Sequence, residues 1–283
     1  MSDAVVPLGA PERADLARRR VTCPFLGPAV AGGDLAVRNA AADPLARIDE
    51  LETLGDTGGG DLGGVLGFFA KGNHARMRGP EGHLDMPVPA GLFSLDLPGS
   101  QGSHPGHSGI LQGDPAALAS GHFDAAAFAR LVAPARDSLI TRADVGRFIA
   151  DNLHRDPQAK VLKLKVAALL AGDLAALAAR AAVEAIHPSP GRELYEKLTR
   201  LMGENNLMGS AGEYGLLFAF FGGRPDAREI DGQPTLPVAD LTGMFRDLRL
   251  PAGWRAWRKR GHDWVANTLA LAGAAGEAYL ATR

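Results

Sequence analysis

One cysteine in 283 residues, Cys23, limits what can hold this chain together. It excludes an internal disulfide and every zinc site built from several thiolates, so the fold has to rest on an apolar core. Hydrophobic residues make up 46% of the chain and charged residues 22%, enough for such a core. The cysteine stands in Val21-Thr22-Cys23-Pro24-Phe25-Leu26-Gly27, with a proline directly after it. Proline is favoured at the first position of a helix, where its missing N–H is not needed. A thiol at a helix head lies beside unpaired N–H groups, which lower its pKa and favour the thiolate. The thiolate binds metals and attacks electrophiles, whereas a lone cysteine without such help is a small buried hydrophobe.

Charge and composition narrow the partners. A net charge of −2 gives no overall basic footprint, so nucleic acid is not an expected partner. The first 20 residues mix Asp3, Glu12 and Asp15 with Arg18-Arg19-Arg20 and carry no apolar stretch of the secretory kind. They read as a polar, mobile lead-in to a single domain over residues 21–283. No apolar run approaches the roughly 18 residues of a spanning helix. A cytoplasmic protein without disulfides or a membrane span is the expectation.

Apolar spacing predicts helices along most of the chain. A short one runs from Pro24 to about Ala31 and stops at Gly32-Gly33, and a second covers Pro44–Leu54 through Leu45, Ile48, Leu51 and Leu54. Others follow Asp61, open at Asp124, and open at Thr141-Arg142-Ala143-Asp144, a near-capping box. Helices are also expected over 159–186, 191–202, 212–221, 238–246 and 261–282. Between them, Gly79 to Ser120 is rich in Gly, Pro, His and Ser, a long connection of the kind that is functional or disordered. With Ala, Leu, Arg and Glu outweighing β-branched runs, the expected class is all-α, with at most one tiny hairpin.

Several common chemistries are excluded. No His-Glu-x-x-His, no Gly-x-x-x-x-Gly-Lys-Ser/Thr and no Gly-x-Ser-x-Gly occurs. Asp137 to Asp151 has the outline of half an EF-hand but lacks the alternating acidic ligands and central Gly that calcium needs.

Four stretches in order carry more. They are Thr22-Cys23-Pro24-Phe25-Leu26, the loop Gly102-Ser103-His104-Pro105-Gly106-His107-Ser108, Gly212-Glu213-Tyr214-Gly215-Leu216-Leu217, and Phe245 to Trp254 with Arg249, Pro251 and Gly253. Together they resemble the heme-thiolate peroxidases, the chloroperoxidases and unspecific peroxygenases, over about residues 20 to 275. That family has a Pro-Cys-Pro-type segment, a Glu-His-Asp-type loop followed by serine, a Gly-Glu on an apolar helix, and a Phe-x-x-x-Arg-x-Pro-x-Gly-Trp-like stretch. Two departures stand out. Thr22 replaces the first proline, and the loop has no carboxylate until Asp114.

The resemblance implies a compact domain of roughly eight to ten helices around heme b. Cys23 would be the axial ligand of the iron, pushing electron density that favours O–O cleavage. Glu213, in the first turn of an apolar helix, would be the acid–base group that moves the peroxide proton, with His107 assisting. His104 and Ser108 would lie against the cofactor. The missing loop carboxylates imply no tightly bound second metal there. The implied activity is oxidation or oxygenation of a small organic molecule by hydrogen peroxide. The alternative is a carrier or sensor of the same fold that binds heme or an apolar ligand without turnover, or a helical interaction protein in which Cys23 is merely buried.

Overall fold

The computed structural model describes residues 4–21, 23–39, 43–72, 74–77, 86–95, 123–155 and 206–282. The helices in chain order are α1 (Ala10–Arg20), α2 (Leu26–Gly32), α3 (Ile48–Asp56), α4 (Gly63–Lys71) and α5 (Ala125–Val132). They continue with α6 (Arg142–Arg155), α7 (Asn206–Phe221), α8 (Val238–Phe245) and α9 (Trp264–Ala281). Among the described residues, seven short strands accompany them: β1 (Leu45–Arg47), β2 (Arg76–Met77), β3 (Met86–Pro87), β4 (Leu92–Ser94), β5 (Leu139–Thr141), β6 (Glu229–Ile230) and β7 (Gln233–Pro237). The expected all-α class is therefore wrong. The fold is mixed, with three small antiparallel sheets ordered β1-β4, β2-β3 and β5-β7-β6 among the described residues.

The reason lies in strand length. Runs of two to five residues are too short for alternation to show. Leu45 fits a helical period with Ile48 and Leu51, yet β1 pairs Leu45 with Ser94 and Arg47 with Leu92, and α3 begins only at Ile48. The β6–β7 hairpin turns on Asp231-Gly232, both at positive φ (53° and 71°). That is the Asp-Gly pair a two-residue primed turn requires.

Helix starts follow their caps. The Asp124 side chain accepts from the Ala127 N–H at 2.9 Å, and α5 opens there. At α6, the Asp144 carboxylate accepts from the Thr141 N–H and hydroxyl at 2.8 and 2.7 Å, while the Asp144 N–H returns to the Thr141 hydroxyl at 3.3 Å. The N-terminal stretch read as a mobile lead-in contains α1, which packs against α2 and buries Leu16 and Ala17.

Helices α6, α7 and α9 pack on one another and carry much of the core. Helix α7 is apolar on nearly every side, the pattern of a helix enclosed by its neighbours. Gly215 sits so close to α9 that a Cβ there would approach the Thr268 hydroxyl to 2.4 Å. Among the described residues, no helix is long and apolar enough to cross a membrane.

Candidate functional site

Cys23 heads the first turn of α2, since the Gly27 N–H returns to the Cys23 carbonyl at 3.0 Å. Pro24 precedes the regular helix rather than occupying its first position, because α2 begins at Leu26 after Phe25. The helix ends on Gly33 in the left-handed region, φ 80°. Phe25 is buried to 2% exposure and anchors this turn. Its ring meets Phe220 of α7 edge-on at 5.7 Å and Trp254 at 5.9 Å. The cysteine turn is thus clamped between α7 and the C-terminal segment, two parts of the chain far away in sequence.

The environment of the thiol differs from the expectation. Backbone N–H groups of Leu26 and Phe25 donate to the sulfur, as the helix head should provide. Burial works the other way and is the larger influence, followed by the negative charge of Glu213. Together they push the thiol from 9.0 up to about 12, so it is raised rather than lowered. The residue as a whole keeps some exposed surface, but its sulfur lies deep enough among protein atoms for desolvation to dominate. A thiol in this setting is protonated near neutral pH and makes a poor free nucleophile.

Glu213 comes close enough to Cys23 for its charge to be felt there, although about two thirds of the chain separates the two in sequence. Helix α7 starts at Asn206, so Glu213 stands well inside the helix and not in its first turn. The helix dipole, which fades beyond the first turn, gives no reason for a carboxylate at this point. Its Oε1 is shielded from solvent. The neighbouring Tyr214 is fully buried, and its hydroxyl is pushed well above its usual pKa by burial first and by Glu213 second. The preceding carbonyl, Gly212, accepts from the Trp264 indole N–H at 3.0 Å. Phe68 and Phe69 pack on that indole, with ring centroids 6.0 and 5.3 Å away.

The structure therefore brings Cys23 and Glu213 together. His104, His107 and Ser108 lie outside the described residues, as do the helices expected over 159–186 and 191–202. Among the described residues, no three His, Cys, Asp or Glu side chains form a group that could hold a metal ion. Cys23 therefore stands as a lone soft donor among the described residues.

No family model, no curated protein and no solved structure matches this chain.

Sequence reading missed Lys259, a lysine only 1% exposed. Its ammonium donates to the Thr57 carbonyl and hydroxyl, both at 2.7 Å, and sits 5.2 Å from the Trp254 ring centre. The adjoining Trp254-Arg255-Ala256-Trp257-Arg258-Lys259-Arg260 run was the available signal, since cations interleaved with tryptophans favour cation–π contacts.

Proposed function

We propose that this chain is a heme-dependent peroxidase or peroxygenase that uses hydrogen peroxide to oxidise or oxygenate a small organic molecule. The observation that supports it is that Glu213 lies near enough to Cys23 for its charge to be felt at the thiol. A thiol pushed up to about 12 does not ionise on its own, but a coordinating metal deprotonates a thiol outright. The two N–H groups donating to the sulfur then stabilise the thiolate that results. Such a donor set would suit a metal-bound thiolate better than a cysteine nucleophile.

Heme b held by Cys23 would supply peroxide O–O cleavage, which an axial thiolate favours. The protein's own part is proton management and enclosure. The Glu213 carboxylate would be the group that accepts and returns a proton beside bound peroxide. Its place on a buried helix keeps bulk water from competing for that proton. Helix α7 is locked through Gly215 and Gly212 against α9, so the carboxylate is held by packing on both sides. His107 would assist Glu213, and His104 and Ser108 would lie against the cofactor. The oxidant is peroxide and the substrate a small organic molecule.

The test is reconstitution with hemin. The reduced protein with carbon monoxide should show the strongly red-shifted band of thiolate ligation, and Cys23→Ala should lose it. Glu213→Gln should keep the band but react with peroxide about 10²–10⁴-fold more slowly in stopped flow. A Cys23→Ala protein with the same band would remove the ligand assignment. An unslowed Glu213→Gln protein would leave a heme binder without this acid–base mechanism.

A further inference from the structure

A crevice of about 520 Å³ lies between the loop after α3, the end of α7 and the segment after Trp257. It is lined on one side by Gly59, Gly60 and Asp61, on another by Gly222 and Gly223, and along the floor by Arg258, Lys259, Arg260 and His262. The walls are rigid. A Cβ on Gly60 would come within 2.6 Å of the Lys259 backbone, and one on Gly223 within 2.4 Å of the Arg258 carbonyl. The Asp61 N–H donates to the Lys259 carbonyl at 3.1 Å and the Arg260 N–H to the Ala219 carbonyl at 2.9 Å.

The charges lining it do not cancel. Asp61 is taken up by the Gly261 N–H at 2.6 Å and by His262 at 2.7 Å. Arg260 pairs with Asp263 at 2.8 Å. Lys259 turns its ammonium inward to Thr57, leaving a positive charge behind the floor. Arg258 is exposed at the rim and has no ion pair among the described residues.

We propose that this crevice is an anion site for a small phosphate-bearing molecule, with Arg258 as its principal ligand. A guanidinium presents a planar fork that matches two phosphate oxygens, which a point charge does not. At Gly59 nothing stands within 4 Å of where a Cβ would be, so a ligand oxygen can approach the backbone there. The volume lies in the range of small-molecule sites and exceeds a bare ion, so an attached organic group has room. Because the three segments are already locked together, little ordering is needed on binding.

Calorimetric titration of the full chain at low ionic strength tests this, with phenyl phosphate as the probe and inorganic phosphate and benzoate as comparators. One saturable site for phenyl phosphate is expected, tighter than for benzoate. Arg258→Gln, at an exposed position, should fold normally and bind about ten- to a hundredfold more weakly. Arg228→Gln, at an exposed arginine on the β6 side, should change binding less than about threefold. The proposal is overturned by any of three results: no saturation by tens of millimolar, equal binding of benzoate, or equal losses in the two arginine variants.

Discussion

A thiol pushed up to about 12 makes Cys23 chemically quiet in the isolated protein. Only the thiolate attacks an alkylating agent, and an unperturbed cysteine near pKa 8.5 has far more of it at neutral pH. Iodoacetamide at pH 7.5 should therefore modify Cys23 at least about a hundredfold more slowly than a free cysteine. A rate equal to that of free cysteine would show that the sulfur is solvated, and the axial-ligand reading would lose its support. The same shift has a stability consequence. The folded state keeps its proton above pH 9.0 while the unfolded chain gives it up, so the folded state binds more protons there. The contribution of Cys23 is fully present below pH 9 and declines as pH rises toward 12. Cys23→Ala should flatten that part of the pH–stability curve, measured by urea denaturation without cofactor. The reading of a cysteine at a helix head anticipates the two N–H donors, which act locally. It could not anticipate burial or the charge of Glu213, which arrive through packing against segments distant in sequence.

At the scale of elements, α7 and α9 show how closely this frame is fitted. Gly215→Ala places a methyl 2.4 Å from the Thr268 hydroxyl, across an interface where both helices are buried. Overpacking of this kind costs about 1–3 kcal/mol, and a denaturant midpoint should fall accordingly. Unchanged stability would mean that α9 can shift without loss. Helices α4, α5, α6, α8 and α9 were legible from apolar spacing and caps, because their periodic stretches are long and their first turns carry Asp, Thr or Gly signals. The strands were not legible, since runs of two to five residues are too short to display a clear period and their pairing is decided by distant partners such as Ser94 for Leu45. Asp231-Gly232 is the exception, a turn signal with its own local chemistry. Of the candidate site, Cys23 and Glu213 were legible as residues. Their nearness was not, because it depends on how α2 is seated against α7.

Across the whole molecule, the seating of α2 rests on a stack that runs from Phe25 through Trp254 to Lys259. Phe25→Ala would empty the contact with Phe220 and Trp254 and should cost about 3–5 kcal/mol, with weaker hemin uptake as a second readout. Lys259 closes the other end by tying the loop after α3 to the C-terminal segment through Thr57. Burial lowers its pKa from 10.5 to about 8, with Asp56 opposing the shift and Arg255 adding to it. Between those values the unfolded chain carries the proton and the folded protein does not. Stability must then rise with pH across that window, because the unfolded state binds more protons. Below pH 8 both states are protonated, and the cost of the buried charge is present in full. Lys259→Met removes the titrating group while keeping an unbranched side chain against Trp254. The stability of the native protein relative to this variant should therefore grow by on the order of 2 kcal/mol between pH 7.5 and pH 10.5. Urea denaturation of both proteins across that range measures the difference directly, and the Cys23 contribution, common to both, cancels. A constant difference would mean that the Lys259 ammonium is fully compensated by Thr57, Trp254 and Asp56, and that the latch holds equally at every pH.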